Sequence, residues 1–218
     1  LWEGLGYYSP CRNLIQSARY ISSELNGRFP DSYETIVALK GVGAYTAAAI
    51  ASFAYNLPYA VLDGNVFRVL SRIFAKEVPV DSTTGKKEFA TLAQAMLPKE
   101  NAGEYNQAIM DFGATICKPF PLCDDCFYNH ACRAYIAGKQ QLLPVKEKKP
   151  TLKKRWLNYF LVQCGKEVLI QQRTAKDIWQ GLHQFFLIET EKSFSSQNLQ
   201  QLFRQQSGNT HFHLLADW

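Results

Sequence analysis

The sequence predicts two domains, the first entirely helical and the second of mixed α and β structure. Three observations carry this prediction: helical spacing of apolar residues through the first 138 residues, a basic connector over 139–155, and apolar, β-prone runs after it. A length of 218 residues with 47% hydrophobic content gives each domain enough apolar surface for its own core. The predicted fold class is therefore α followed by α/β, with domains at 1–138 and 156–218.

Apolar spacing and end signals predict the helices of the first domain. Apolar residues recur at helical spacing between Leu14 and Leu25. Asp31, followed three residues later by Glu34, matches a capping box at the start of a short helix that runs to Leu39. Further helices are predicted over residues 45–55, 66–74, 87–97 and 104–117. No stretch of this domain alternates like a strand.

The connector over 139–155 holds seven Lys/Arg residues and one acidic residue, together with Pro144 and Pro150. This composition predicts either a basic linker that meets phosphates or a solvated linker. Beyond it, runs at 156–164 and 167–173 on either side of Gly165 predict a hairpin. Further strands are predicted at 184–189 and 211–216, with a helix at 199–206 between them. We expect this second domain to be incomplete.

No apolar run reaches the roughly 18 residues of a membrane span, and no charged-then-apolar leader is present. The sequence therefore predicts a protein that is not in a membrane. We expect a cytoplasmic, nucleoid-associated monomer.

Four of the six cysteines lie within sixteen residues, separated by five, two and five residues. They are Cys117, Cys123, Cys126 and Cys132. Four thiolates in one loop can ligate a four-iron, four-sulfur cluster or a tetrahedral zinc ion. A disulfide pair is the third reading, and a reducing cytoplasm disfavours it. The spacing alone does not choose between iron and zinc.

Two motifs precede the cysteine loop. The segment 39–46, Leu-Lys-Gly-Val-Gly-Ala-Tyr-Thr, joins two predicted helices through Gly41 and Gly43. Such a turn can direct backbone N–H groups at a DNA phosphate, although glycine pairs also join helices for structural reasons. The second motif, Asp63-Gly64-Asn65, precedes another helix and reads most simply as a helix cap.

The hairpin, the aspartate and the cysteine loop, in this order, resemble the helix-hairpin-helix glycosylases of the endonuclease III and MutY superfamily. The resemblance implies a helix-hairpin-helix glycosylase domain over 1–138, with a four-iron, four-sulfur cluster on the four clustered cysteines. The family usually has six residues between its first two cysteines, whereas this chain has five.

Two details resemble the MutY family of adenine DNA glycosylases. Tyr45 occupies the position of the lysine nucleophile in endonuclease III-like enzymes, and a phenol cannot form a Schiff base. The opening segment 1–8 is similar to the motif in which a tyrosine wedges into the duplex, which implies that Tyr7 is the wedge.

The resemblance also implies roles for the other site residues. Asp63 would stabilise the cationic sugar, Asn65 would hydrogen-bond in the same pocket, and Tyr45 would contact the reacting sugar region. DNA would bind at Gly41, Val42 and Gly43. The general-acid glutamate of the family precedes the position of Leu1, so these 218 residues are expected to lack it. A lesion-binding remnant is therefore the alternative to an active, monofunctional glycosylase.

The second domain resembles the MutT/Nudix-like module that recognises 8-oxoguanine. Residues 159–173 and 178–182 match its first strands and turn, and Thr210 and His211 match its lesion-sensing loop. A nucleotide pyrophosphatase is the rival reading, but no glutamate-rich magnesium helix follows Gly181. The implied partner is double-stranded DNA with an A·8-oxoguanine or A·G mispair. A zinc-stabilised DNA-binding protein is a further reading of the same cysteines.

Overall fold

The structure is a computed structural model that describes residues 8–147 and 154–207. The described residues divide into two compact units, one within 10–147 and one within 154–207. None of the described helices is both long and apolar enough to cross a membrane.

The first unit is helical, as predicted. Its elements are α1 (Tyr8–Glu24), α2 (Tyr33–Val37), α3 (Ala44–Tyr55), α4 (Gly64–Ile73), α5 (Thr83–Met96), α6 (Ala102–Thr115), a 3-10 turn (Asn129–Ala131) and α7 (Arg133–Ile136). The start of α2 differs from the prediction. Ser32, rather than Asp31, is its N-cap, because the Ser32 hydroxyl accepts the N–H of Thr35.

Two apolar clusters hold this unit together. One is centred on α4 and α5 and contains Val66, Leu70, Val80, Phe89 and Ala93. The other joins α2 to α3 through Ile36, Ala47 and Ala51. The apolar spacing that predicted the helices thus supplies the faces that pack, and α2 and α3 are held as a pair on either side of their turn.

Residues 139–147 differ from the predicted linker because they pack on the helical unit. Leu143 is buried, and its carbonyl oxygen accepts a hydrogen bond from Arg72 at 3.0 Å. The N–H of Val80 donates to the carbonyl oxygen of Val145 at 3.0 Å. The apolar side chain of Leu143 and these backbone carbonyls anchor a segment whose composition alone suggested solvent exposure.

The second unit is a small antiparallel sheet with one helix. Its strands are β1 (Trp156–Phe160), β2 (Gln163–Cys164), β3 (Glu167–Val168), β4 (Ile170–Gln172) and β5 (His183–Thr190), followed by α8 (Ser196–Ser207). β2 and β3 form a short hairpin around Gly165, but β1 and β4 both pair with β5 and not with each other. The long hairpin that we predicted across Gly165 is therefore wrong beyond its tip.

The aromatic rings of Phe160, Phe186 and Phe203 pack together between the sheet and α8, with ring centroids 4.8 to 6.2 Å apart. These contacts come from strands and a helix that are distant in sequence. They join β1, β5 and α8 in one aromatic cluster.

Candidate functional site

The turn between α2 and α3 exposes backbone N–H groups. The N–H of Val42 donates to the carbonyl oxygen of Leu39 at 3.1 Å, and this bond closes the turn. Gly41 has a φ of +81°, in the left-handed region that favours glycine. Within the described part of the chain, the N–H groups of Gly41 and Gly43 donate no hydrogen bond. They are therefore available to an anion.

The same turn leads directly into α3. Gly43 is the N-cap of this 12-residue helix and offers no side chain to its first N–H groups. The positive end of the helix dipole adds to their attraction for negative charge. Tyr45 lies in the first turn of α3, with 46% of its surface exposed. The structure thus brings the predicted residues Gly41, Val42, Gly43 and Tyr45 together on one exposed turn.

Asp63 is the N-cap of α4 and is held through both carboxylate oxygens. Its Oδ1 accepts the N–H of Val66 at 2.8 Å, and its Oδ2 accepts the side-chain N–H of Asn65 at 3.0 Å. Each oxygen keeps a further lone pair for another group. Asp63 is therefore a helix cap and also an oriented carboxylate. Among the described contacts, it makes no hydrogen bond with Tyr45.

Asn106 on α6 fixes the segment that leads to Asp63. Its side chain is 1% exposed, accepts the N–H of Val61 at 3.1 Å and donates to the carbonyl oxygen of Tyr59 at 2.9 Å. The amide thus satisfies one buried backbone group and one partly buried backbone group. Sequence reasoning missed Asn106, because its partners lie about 45 residues away along the chain.

Arg68 connects Asn65 to the cysteine loop. Its Nη2 donates to the side-chain oxygen of Asn65 at 2.8 Å and to the carbonyl oxygen of Gly113 at 2.7 Å, and its Nε donates to the carbonyl oxygen of Cys117 at 2.7 Å. Burial, the largest cause, and the charge of Arg72 lower the pKa of Arg68.

Arg72, one helical turn further along α4, is 2% exposed. Its guanidinium donates to the carbonyl oxygens of Cys117, Lys118 and Pro119, and to the Sγ of Cys117 at 3.4 Å. Sequence reasoning missed both arginines. The available signal was their spacing of four, which places them on one face of the predicted helix.

The four clustered cysteines line a single cavity between α4, the end of α6 and the loop that leads to α7. None of the four is in a disulfide. The reading as a disulfide pair is therefore wrong. Among the described residues, no three His, Cys, Asp or Glu side chains converge closely enough to hold a single metal ion.

The residues around this cavity fit a four-iron, four-sulfur cluster. Such a cluster takes one cysteine sulfur at each iron, and the cavity presents four. The buried guanidinium of Arg72 provides positive charge beside the sulfurs. Gln140 also lines the cavity, and its side-chain oxygen is buried with no hydrogen-bond partner among the described residues. Rotation of this amide would present its N–H groups instead, which suit sulfur acceptors.

Burial raises the pKa of two of the cavity's thiols, those of Cys117 and Cys123. Burial raises the pKa of Cys117, and hydrogen bonding and charge from Arg72 oppose that shift. Burial also raises the pKa of Cys123, with a further contribution from Cys132. A metal that binds here would displace the thiol protons.

Three residues predicted for DNA contact lie outside the described part of the chain. They are Tyr7, Thr210 and His211. Their roles stay predictions.

Comparison with known proteins finds a motif profile that matches the hairpin and relatives that match most of the chain. The profile described as "Helix-hairpin-helix motif" matches residues 24–53. The adenine DNA glycosylase of Buchnera aphidicola (strain APS) is 34% identical over 186 residues, covering 85% of this chain and 53% of that protein. The mouse adenine DNA glycosylase is 42% identical over 160 residues, covering 72% and 31%. The chain thus spans about half or less of the length of these relatives.

Solved structures agree on the fold. A thermostable thymine-DNA glycosylase aligns with a TM-score of 0.53 at 31% identity, covering 58% of each chain. A non-covalent endonuclease III–DNA complex aligns with a TM-score of 0.50 at 26% identity, again covering 58% of each chain. Together with the hairpin, the aspartate that caps α4 and the cysteine cavity, these similarities show that the chain belongs to the MutY-like family of helix-hairpin-helix DNA glycosylases.

Proposed function

We propose that this protein is a monofunctional adenine DNA glycosylase that hydrolyses the bond between adenine and deoxyribose where adenine is mispaired with 8-oxoguanine or guanine. The observation that carries the proposal is the oriented carboxylate of Asp63, on the same helical unit as an exposed helix-hairpin-helix turn. The relatives that this chain matches are adenine DNA glycosylases, which supports adenine as the base.

The chemistry follows from the charge that develops when the bond breaks. The sugar becomes cationic and the departing adenine becomes anionic, so a carboxylate near the sugar lowers the barrier. Val66 and Asn65 hold the Asp63 carboxylate in place, and this orientation is already present before substrate binds. Adenine must leave the helix stack to reach such a site.

The residue at position 45, in the first turn of α3, determines whether the enzyme only releases the base or also cuts the strand. A lysine here would provide an amine that can attack the sugar and then cut the strand. Tyr45 offers only a phenol. The protein is therefore expected to release adenine and leave the strand intact.

The cavity of Cys117, Cys123, Cys126 and Cys132 would hold the four-iron, four-sulfur cluster. When bound, the cluster would cross-link the cysteine loop through iron–sulfur bonds. Arg68 and Arg72 tie the same loop to α4, so the residues that hold the cluster also support the helix that Asp63 caps. The reading as a zinc-stabilised protein predicts zinc instead of iron in the purified protein.

The second unit is proposed as a MutT/Nudix-like module for the opposite 8-oxoguanine. Its antiparallel sheet with one packed helix supports this proposal. Thr210 and His211 are the residues proposed to sense the lesion. The partner is double-stranded DNA, and the protein is proposed to act as a monomer on DNA in the cytoplasm.

Single-turnover release of adenine from a duplex with one A·8-oxoguanine pair tests the function, with protein in excess and binding confirmed by gel shift. Release without strand cleavage supports the proposal. Failure to bind the duplex contradicts it.

A second candidate is lesion binding without release. Binding without release by this polypeptide supports the second candidate. Release that Asp63→Asn abolishes would place the proton donor within residues 1–218.

A further inference from the structure

We propose that Ser17 and Asn13 of α1 are positioning residues that aim the backbone N–H of Gly41 at a DNA phosphate. Neither residue needs to touch DNA. This inference rests on the proposed function, since it assigns the geometry of the phosphate-binding turn to a helix that lies before the hairpin in sequence.

The first observation is a partly buried hydrogen bond between α1 and the turn. The Ser17 hydroxyl donates to the carbonyl oxygen of Lys40 at 2.9 Å, across 23 residues of sequence. Ser17 is 6% exposed, and it is the buried residue of α1. A buried hydroxyl that is paired with a single carbonyl oxygen fixes the direction of that carbonyl.

The direction of the Lys40 carbonyl sets the direction of the next N–H. The carbonyl oxygen of Lys40 and the N–H of Gly41 belong to one planar trans peptide group and point in opposite directions. Because the carbonyl points at α1, the N–H of Gly41 points away from α1. This N–H makes no hydrogen bond within the described residues, so it is free to receive an acceptor from outside.

The second observation is the close contact of Asn13 with Gly41. A Cβ atom at Gly41 would lie 2.5 Å from the Cβ of Asn13 and 2.6 Å from its Nδ2. Asn13 therefore fills the space on the α1 side of the turn. Together, the two α1 residues hold the peptide of Gly41 from one side and leave its N–H on the other.

Ser17→Ala tests the proposal, with Ser22→Ala as the matched control. Ser22 is an exposed serine on the same helix. Alanine is favourable in a helix, so both variants keep α1. The measurement is the affinity for a duplex with one A·8-oxoguanine pair over a range of salt concentrations, with thermal melting of each protein measured alongside.

The slope of log affinity against log salt counts the phosphates that Lys and Arg neutralise, so loss of an uncharged N–H contact leaves it unchanged. We expect Ser17→Ala to bind more weakly at every salt concentration, with the slope of the wild type. Ser22→Ala should match the wild type, and Ser17→Thr, which keeps a hydroxyl, should restore the affinity. A lower melting temperature with an unchanged affinity would mean that Ser17 only stabilises the fold, and this result overturns the proposal.

The outcomes separate this inference from the proposed function. Wild-type protein that binds no duplex overturns both. Wild-type protein that binds, with Ser17→Ala equal to it in affinity and slope, overturns the positioning role alone.

Discussion

The Nε of Arg68 donates a hydrogen bond to the carbonyl oxygen of Cys117 at 2.7 Å. The same guanidinium holds Asn65, and Asn65 holds the carboxylate of Asp63. A chain of hydrogen bonds therefore runs from the first cysteine of the loop to the candidate catalytic carboxylate. The orientation of Asp63 depends on the backbone of the cysteine loop as well as on its own helix.

Arg68→Lys is expected to destabilise the protein by about 1–3 kcal/mol. Lysine keeps the charge but cannot reach Asn65, Gly113 and Cys117 from one planar group. Urea unfolding measures the loss, and Arg19→Lys, on the exposed surface of α1, is the control. Equal stability of Arg68→Lys and the wild type would show that this network contributes nothing to the folded state.

Gly41→Ala is expected to weaken both folding and DNA binding more than Gly27→Ala. Both glycines have a positive φ, so both variants carry the backbone strain of alanine in the left-handed region. A Cβ at Gly41 also overlaps Asn13, whereas one at Gly27 meets nothing within 4 Å. Thermal melting and gel shift compare the two. Equal effects would show that the contact with Asn13 is unimportant.

Cys123→Ser is expected to lose most of the iron that the wild type carries. Its sulfur lines the cavity with three other thiols, and a hydroxyl is a poor ligand for the cluster. Cys164→Ser, at an exposed cysteine of the second unit, is the control and should keep its iron. Metal analysis of the purified proteins provides the measurement. Zinc in place of iron in the wild type would contradict the cluster.

The second unit is expected to lose stability in acid through Asp177. The hydrogen bond from Arg173 lowers the pKa of Asp177, burial opposes this, and the backbone N–H of Trp179 lowers it further. Because the folded pKa is below the unfolded one, the stabilisation is present above the ordinary carboxyl range and is lost as the pH falls through the folded pKa.

Urea unfolding followed by tryptophan fluorescence from about pH 7 to about pH 3 measures this dependence. Asp177→Asn should show a flatter profile, whereas Glu191→Gln, at an exposed position of the same unit, should follow the wild type. A wild-type profile that Asp177→Asn leaves unchanged would contradict the assignment.

Local signals predicted the helices well and the sheet poorly. α3 and α4 lie within a residue or two of their predicted bounds, because apolar spacing, Pro58 and the Asp63 cap act over a few residues. The pairing of β1 with β5 joins strands about 30 residues apart, and the local turn at Gly165 misled the prediction. The burial of Leu143 likewise depends on Arg72, a partner far away in sequence.

The candidate site likewise contains residues that local motifs predict and residues that they do not. Asp63, Asn65 and the Gly41 turn lie in short ordered motifs and could be predicted from them. Ser17, Arg68 and Asn106 act through backbone groups that are 23 or more residues away. Local patterns do not identify the partners of these residues, because the packing of helices sets those partners.

Binding of transition-state mimics tests whether the Asp63 carboxylate stabilises a cationic sugar. In duplexes with 8-oxoguanine, a cationic pyrrolidine or a neutral tetrahydrofuran replaces the target deoxyadenosine, and affinity is measured for the wild type and for Asp63→Asn. We expect the wild type to prefer the cationic mimic by roughly a hundredfold, and Asp63→Asn to lose this preference while binding the neutral mimic equally well. An undiminished preference in Asp63→Asn would contradict the placement of this carboxylate beside the reacting sugar.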